Sequence, residues 1–383
     1  MENNERIFLA SPHMSDEGYE QEYIKEAFDT NWIAPLGANV NNFEKEICSV
    51  TGAKDSAALV SGTSAIHLAL KLLEVGKDDI VFCQSLTFSA SANPIIYENA
   101  TPVFIDSEMD TWNMSPIALR KAFEKYKKQG LKPKAVIVVH LYGICASLDE
   151  IVSICHEYDV PLIEDAAESL GSTYKGQMTG TFGDYGILSF NGNKIITSSG
   201  GGMLLVNTSD SSKKAERARF LSTQARENKR YYYHKEVGYN YRMSNIVAGI
   251  GRGQLKVLEE RVNKKREIYF HYKDAFKDIE EIQMMPIDED NTRCNCWLSS
   301  MLIDEKSTVK PIDIILKLEE NNIEARHIWN PMHKQPFFEK YDYIDNGGVG
   351  EYIFNNGVCL PSDTKMTKED MQRVSDIIKT LFN

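Results

Sequence analysis

The stretch "KAVIVVHLYGICASLDEIVSICHEYDVPLIEDAAES" (Lys134–Ser169) decides how this chain folds. Its first apolar run, Ala135–Val139, is rich in β-branched residues and too short for a helix, so it predicts a buried strand. Ser147 and Glu150 then stand at the spacing of a capping box, and Ile151, Ile154, Cys155 and Tyr158 recur at helical intervals. Val160–Ile163 is a second apolar run, and it ends on two acids, Glu164 and Asp165. Strand, helix, strand is the parallel crossover unit. Strands apolar along their whole length belong to a sheet covered on both faces.

The same rhythm extends outward. "SAALVSGTSAIHLALKLLEV" gives a strand and a helix opening near Ser61–Ser64, "DDIVFCQS" a strand, "ANPIIYEN" a helix and "TPVFID" a strand. Ser115-Pro116 opens the helix "IALRKAFEKYKK", with proline at its first position. From Ser244 to about Phe276 the pattern predicts one long, charged, amphipathic helix. A polar stretch, "EDNTRCN", follows, then "WLSSMLI" (strand), "KPIDIILKLEENN" (helix), "EARHIW" (strand) and "KEDMQRVSDIIKTLF" (helix). The expected architecture is α/β: a large domain over residues 1–250 with a mostly parallel sheet, and a smaller α+β domain over residues 251–383.

With 383 residues and 26% charged positions the composition is that of an ordinary globular protein, and the net charge of −12 argues against a nucleic-acid binder. An anionic ligand would need a local cluster of cations or backbone N–H groups. The seven cysteines are irregularly spaced; Cys294 and Cys296 form C-x-C without a second pair or a histidine cluster, so no metal site is expected. We read them as reduced thiols of a cytoplasmic protein. The polar start "MENNERIFLASPHM" does not read as a signal peptide, and no apolar run is long enough to span a membrane.

In parallel sheets ligands bind beyond the carboxyl ends of the strands. Familiar nucleotide signatures are absent there: no glycine-rich dinucleotide fingerprint follows a strand, and there is no P-loop or G-x-S-x-G elbow. What stands there instead is "SGTS" (Ser61–Ser64), "SLTF" with Phe88, the acids Glu164 and Asp165, and Lys194 in "SFNGNKIITSSGGGML" (Ser189–Leu204). Each has a plain structural reading: a helix N-cap, a core aromatic, a capping Asp165, a loop lysine. His140 reads as a hydrogen-bonded structural residue. Taken together, a phosphate cradle, a stacking aromatic, an acid and a strand-end lysine are the parts that pyridoxal 5'-phosphate (PLP) needs. The glycines after Lys194 predict a backbone that passes close behind it.

Three segments, "EDAAESLGSTYKG", "GTFGDYGILSFNGNKIITSSGGGML" and "GYNYRMSN", carry a resemblance to the DegT/DnrJ/EryC1/StrS sugar aminotransferases, a family of fold-type I PLP enzymes. It extends from "NWIAPLG" (Asn31–Gly37) through "EARHIWNPMH" (Glu324–His333). The resemblance implies a seven-stranded large sheet, Lys194 as the Schiff-base lysine, Asp165 as partner of the pyridinium nitrogen, Phe88 stacked on the ring and Glu168 near its hydroxyl side. Gly62, Thr63, Ser64 and Ser189 would hold the phosphate. Asn240 would reach the cofactor phosphate of a neighbouring subunit, which implies a homodimer with shared active sites.

Many members of the family carry "TTGEGG" after the lysine, where this chain has "ITSSGGG" (Ile196–Gly202). With "NWIAPLG" and "STQAREN" (Ser222–Asn228), this segment is most similar to enzymes that aminate C4 of a UDP-2-acetamido-2,6-dideoxy-4-keto hexose, the bacillosamine branch. The implied donor is L-glutamate. The alternative acceptors are a C3-ketosugar, a dTDP-linked sugar or a keto-inositol. Diphosphate and carboxylates require cations, and the candidates are Lys175, Arg242, Arg326 and His327.

Overall fold

The computed structural model describes residues 5–382. Helices α1 (Tyr19–Asp29) and α2 (Ala38–Thr51) precede the alternating region. That region runs β1 (Asp55–Leu59), α3 (Gly62–Leu72), β2 (Ile80–Gln84), α4 (Asn93–Tyr97), β3 (Thr101–Ile105), α5 (Pro116–Lys128), β4 (Ala135–Val139), α6 (Leu148–Glu157) and β5 (Leu162–Asp165). The short pair β6 (Thr173–Tyr174) and β7 (Gln177–Met178) leads to β8 (Tyr185–Ser189), β9 (Gly202–Val206), α7 (Ser211–Ser222), α8 (Asn245–Leu255) and α9 (Leu258–Ala275). The rest is β10 (Ile282–Met284), β11 (Thr292–Arg293), β12 (Ser300–Ile303), α10 (Pro311–Glu320), β13 (Arg326–His327), β14 (Tyr343–Ile344), α11 (Val349–Asn356), β15 (Gly357–Cys359) and α12 (Lys368–Lys379).

The large sheet has the order β1-β9-β8-β5-β4-β2-β3-β14. Its strands from β14 to β8 are parallel, and β9 runs antiparallel to both β8 and β1. Successive side chains of a strand point to opposite faces. Phe82, Val136, Val138 and Leu162 therefore pack under α5 and α6, while Val81, Cys83, Ile137 and Ile163 pack under α3 and α7. Both faces are apolar, as the opening stretch predicts. The sheet expected to have seven strands gains an eighth, the two-residue β14 from far along the chain, on its β3 edge.

A four-stranded sheet, β10-β12-β15-β13, forms a second core with α9, α10 and α12, centred on Ile268, Tyr272, Met301, Ile314 and Val374. The chain beyond residue 250 also reaches back: β11 pairs with β6, and β14 joins the large sheet.

Four sequence expectations are corrected. The long helix from Ser244 is two, interrupted at Lys256–Val257. The glycines of α8 press it onto its neighbours: a Cβ at Gly251 would lie 2.6 Å from the Phe43 ring, and one at Gly253 would lie 2.5 Å from the Glu20 backbone. α9 sends Ile268 and Tyr272 into the second core, while its Leu258, Val262 and Tyr269 share a core with Ala248 of α8. The capping box at Ser147 does not form; its hydroxyl donates to Glu108. The strand of "WLSSMLI" starts only at Ser300, leaving Trp297 in the preceding turn. The strand of "EARHIW" is confined to Arg326–His327.

One glycine that follows Lys194 in the sequence does pass another backbone closely, at the start of α3. A Cβ at Gly202 would fall 2.2 Å from the Ser61 carbonyl carbon and 2.4 Å from the Gly62 nitrogen. Gly202→Ala is expected to destabilise the protein by at least about 1–3 kcal/mol, the range of overpacked cores. Gly76→Ala, where a Cβ meets nothing within 4 Å, should leave the urea midpoint unchanged. Equal midpoints for the two variants would refute the close-approach argument.

Candidate active site

The carboxyl ends of β1, β5 and β8 open on one cleft of about 310 Å³. Gly62, Thr63, Phe88, Asp165, Glu168, Ser189 and Lys194, all candidates from the sequence, line it together. A hollow of about 440 Å³ lies at the opposite ends of β5 and β8, beside Lys54 and His156. Its Asp184 and Asn207 side chains are already bonded to backbone, at Leu162 and at Gly180 and Gly183, so the chemistry belongs to the first cleft.

Helix α3 supplies the cradle. Ser61 caps it, its hydroxyl accepting the Ser64 N–H at 3.0 Å, and the Ser64 hydroxyl bonds to Ser61 at 2.8 Å rather than facing the cleft. The N–H groups of Gly62 and Thr63 have no protein acceptor among the described residues. Free N–H groups at a helix N-terminus bind anions. The Ser189 Cβ lies 3.3 Å from the place a Cβ at Gly62 would take, so strand end and helix start share one wall.

The two acids of β5 have different surroundings because they point to opposite faces. Glu164 is fully buried and accepts the N–H groups of Gly180 (2.8 Å), Phe182 (2.6 Å) and Gly183 (2.6 Å) as well as His140 Nε2 (2.9 Å). His140 Nδ1 accepts the Ala146 N–H, so the imidazole proton sits on Nε2. His140 is structural, as its sequence reading has it.

Asp165 lies in the cleft wall. Ser91 donates to its Oδ2 at 2.6 Å and the Ala167 N–H to Oδ1 at 3.2 Å. Ser91 has one proton to give, so Thr87 must donate to Ser91, at 2.8 Å. Burial raises the Asp165 pKa, and the Ser91 hydroxyl and the Lys194 charge oppose that rise.

Lys194 follows the turn from Asn191, whose carbonyl accepts its N–H at 3.1 Å. Its Nζ is 3.5 Å from Glu168 Oε1 and 4.1 Å from the centre of the Trp297 ring. Such a cation–π contact is worth about 0.5–2 kcal/mol. Burial raises the Glu168 pKa too, against the Lys194 charge and the Tyr142 N–H that donates to its Oε2 at 2.8 Å.

Phe88 is half exposed, its ring 5.6 Å from Trp329. Trp329 and Asn193 also line a second groove with Arg326 and His327, so those two side chains adjoin the cleft. Lys175 and Arg242 are not brought to it. Lys175 pairs with Asp149 on the surface, and Arg242 is half-buried against Glu44 and the Ala58 carbonyl. Asn240 is exposed and accepts from Gln224 at 3.1 Å.

Sequence reasoning missed Ser91, Trp297 and Trp329. The hydroxyl-rich "SLTFSAS" after β2 was a signal for Ser91. Nothing local connects residue 297 with residue 194; only the folded turn does. A further row, Ser85–His333–Glu351 (2.7 and 3.1 Å), has the residue types of a nucleophilic triad. Ser85 is buried, and its carbonyl accepts the Met332 N–H, so the row fastens the Met332–Lys334 turn to the end of β2. Among the described residues no cluster of side chains could hold a metal ion, and no helix is long and apolar enough to cross a membrane.

The donor set fits PLP: open N–H groups for a phosphate, a buried acid for a ring nitrogen, and an amine between them. Comparisons with known proteins agree. Bacillus subtilis EpsN, named as a pyridoxal phosphate-dependent aminotransferase, is 54% identical over 99% of this chain and 97% of its own. The GDP-perosamine synthase of Caulobacter vibrioides is 33% identical, over 96% of both chains. The UDP-4-amino-4,6-dideoxy-N-acetyl-beta-L-altrosamine transaminase of Campylobacter jejuni is 29% identical, over 91% of this chain and 90% of its own. The crystal structure of a DegT DnrJ EryC1 StrS aminotransferase from Brucella abortus superposes with a TM-score of 0.88 at 26% identity, covering 96% of each chain. With the family match spanning residues 15–379, the cleft around Lys194 belongs to a PLP-dependent enzyme of the DegT/DnrJ/EryC1/StrS aminotransferase family.

Proposed function

We propose that the enzyme transfers an amino group from L-glutamate to the C4 keto group of a UDP-2-acetamido-2,6-dideoxy-4-keto hexose. The observation that carries the reading is Lys194, an amine between two buried acids and beside the open N-terminus of α3. The acceptor rests on the sequence segments quoted above and on the name of the Campylobacter relative. The Caulobacter relative, closer in sequence, favours a second reading with a GDP-linked sugar.

In this reading Gly62, Thr63 and Ser189 hold the cofactor phosphate, Asp165 keeps the ring nitrogen protonated, Phe88 covers the ring, and Lys194 engages the aldehyde. Bound PLP supplies the electron sink and carries the amino group between donor and acceptor. Lys194 Nζ takes the proton from the α-carbon of glutamate and later delivers one to C4 of the sugar. Glu168 orients that amine. Arg326 and His327, in the adjoining groove, meet the anionic part of the acceptor.

Residues 1–250 are taken as the cofactor-binding unit and 251–383 as the smaller one. The partner is a second copy of the chain, with Asn240 reaching the cofactor phosphate of the neighbour. The exposed Trp32, Ile33 and Leu36 supply an apolar contact surface for that copy. The seven thiols are free, in keeping with a cytoplasmic setting.

The visible band of the loaded protein should fade with glutamate and return with the UDP-4-keto sugar. Return only with a GDP-4-keto sugar would select the second reading, and a band that never fades would remove the glutamate donor. Lys194→Ala should abolish turnover; substantial residual activity would take Lys194 out of the reaction. Ser91→Ala removes a bond that favours ionised Asp165, so the acid limb of the kcat/KM profile should move to higher pH. An unmoved limb would separate that carboxylate from the pH dependence. Light scattering should give twice 43.4 kDa, and a monomer with full activity would exclude shared sites.

A further inference from the structure

The turn Cys294–Trp297 is held from two sides. From the large unit, Asn295 Nδ2 donates to the carbonyls of Glu168 (3.0 Å) and Leu170 (2.9 Å). From α9, two consecutive cations donate to its ends: Lys265 Nζ to the Trp297 carbonyl at 2.9 Å, and Arg266 Nη1 to the Cys294 carbonyl at 2.7 Å. The backbone within the turn is left-handed at Cys296 (φ 52°).

Lys265 is the unusual member. It is 3% exposed, and the Trp297 carbonyl is its one hydrogen-bond acceptor among the described residues. No carboxylate forms an ion pair with it among those residues. An amine so placed is destabilising, and burial draws its pKa down to about 8. Methionine would fill the same space without that penalty. The other side of Trp297 shows what the arrangement gains. The indole N–H donates to the Asn193 carbonyl at 2.7 Å, and the ring faces Lys194 Nζ at 4.1 Å. Trp297 thus touches both the amine and the backbone immediately before it.

We propose that Lys265 is a positioning residue for the transamination: by fixing the Trp297 carbonyl it sets where the indole meets Lys194, and so where that amine rests between its proton transfers. This rests on the reading of Lys194 as the proton-carrying amine.

Four variants test it: Lys265→Met, which keeps length and loses donor and charge; Lys265→Gln, which keeps a donor; Trp297→Phe, which keeps a ring and loses the bond to Asn193; and Lys194→Ala. The readouts are kcat and KM with glutamate, the rate at which cofactor-free protein captures added PLP, and the thermal midpoint of the cofactor-free protein at pH 7. Lys265→Met should lower kcat about ten-fold, slow PLP capture by a similar factor, and leave KM and the midpoint at or above parent values. Lys265→Gln should recover most of both rates, and Trp297→Phe should fall between parent and Lys265→Met. Parent rates in Lys265→Met overturn the proposal, as do losses that follow a lowered midpoint and are not recovered by Lys265→Gln. Should Lys265→Met fail to fold, parent rates in Trp297→Phe overturn it. A silent Lys194→Ala beside a fully active Lys265→Met removes the positioning role alone. An active Lys194→Ala removes the reading on which it stands.

Discussion

Two backbones cross in this protein with no side chain between them. Gly202, the first residue of β9, lies against Ser61 and Gly62 where α3 begins, at distances that no Cβ could share. Because β9 lies between β1 and β8, this contact seats the open end of α3 beside Ser189 and the turn that carries Lys194. The anion cradle and the amine, far apart in sequence, are brought together by one close approach. Asp165 needs no such device, since β5 is the direct neighbour of β8 and Asp165 stands opposite Ile187, two residues before Ser189.

Charge inside the sheet follows from the alternation of a strand. Glu164 and Asp165 are consecutive, so one acid had to face each side. Three backbone N–H groups and His140 satisfy the first, and it anchors the loop into β8. The second keeps a hydroxyl relay, Thr87 to Ser91 to Asp165, and an edge on the cleft. Burial pushes Asp165 up against the pull of the Ser91 hydroxyl and the Lys194 charge, and it is the acid left free to meet a ligand.

Much of this was legible in the sequence because it is local. The parallel strands from β2 to β5 are apolar runs, each crossover helix keeps its period, Asp165 ends a strand, and Ser61 and Lys194 follow one within two and five residues. What was not legible depends on contacts between distant segments. The interruption at Lys256–Val257 has no proline to mark it. Ser147 had the spacing of a cap, but its hydroxyl is turned to Glu108, to which it donates, and accepts no N–H of the helix. Arg242 and Lys175 had the right charge for an anionic ligand, and Glu44 and Asp149 hold them elsewhere. Trp297 read as the start of a strand, although it lies in the turn before β12 with its ring against Lys194.

The walls of the site come from different stretches of chain. The cradle, Asp165 and Lys194 sit on the large sheet, whereas Arg326, His327 and Trp329 ride on β13 and the segment after it. That segment adjoins the cleft but holds none of the cofactor's proposed anchors. In the proposed reading, replacing it would alter what the groove admits while leaving the amine and its acids in place. On that reading a lineage built on such a frame changes acceptors by drift in a few positions of one segment, and a designer could graft a new specificity there without rebuilding the chemistry.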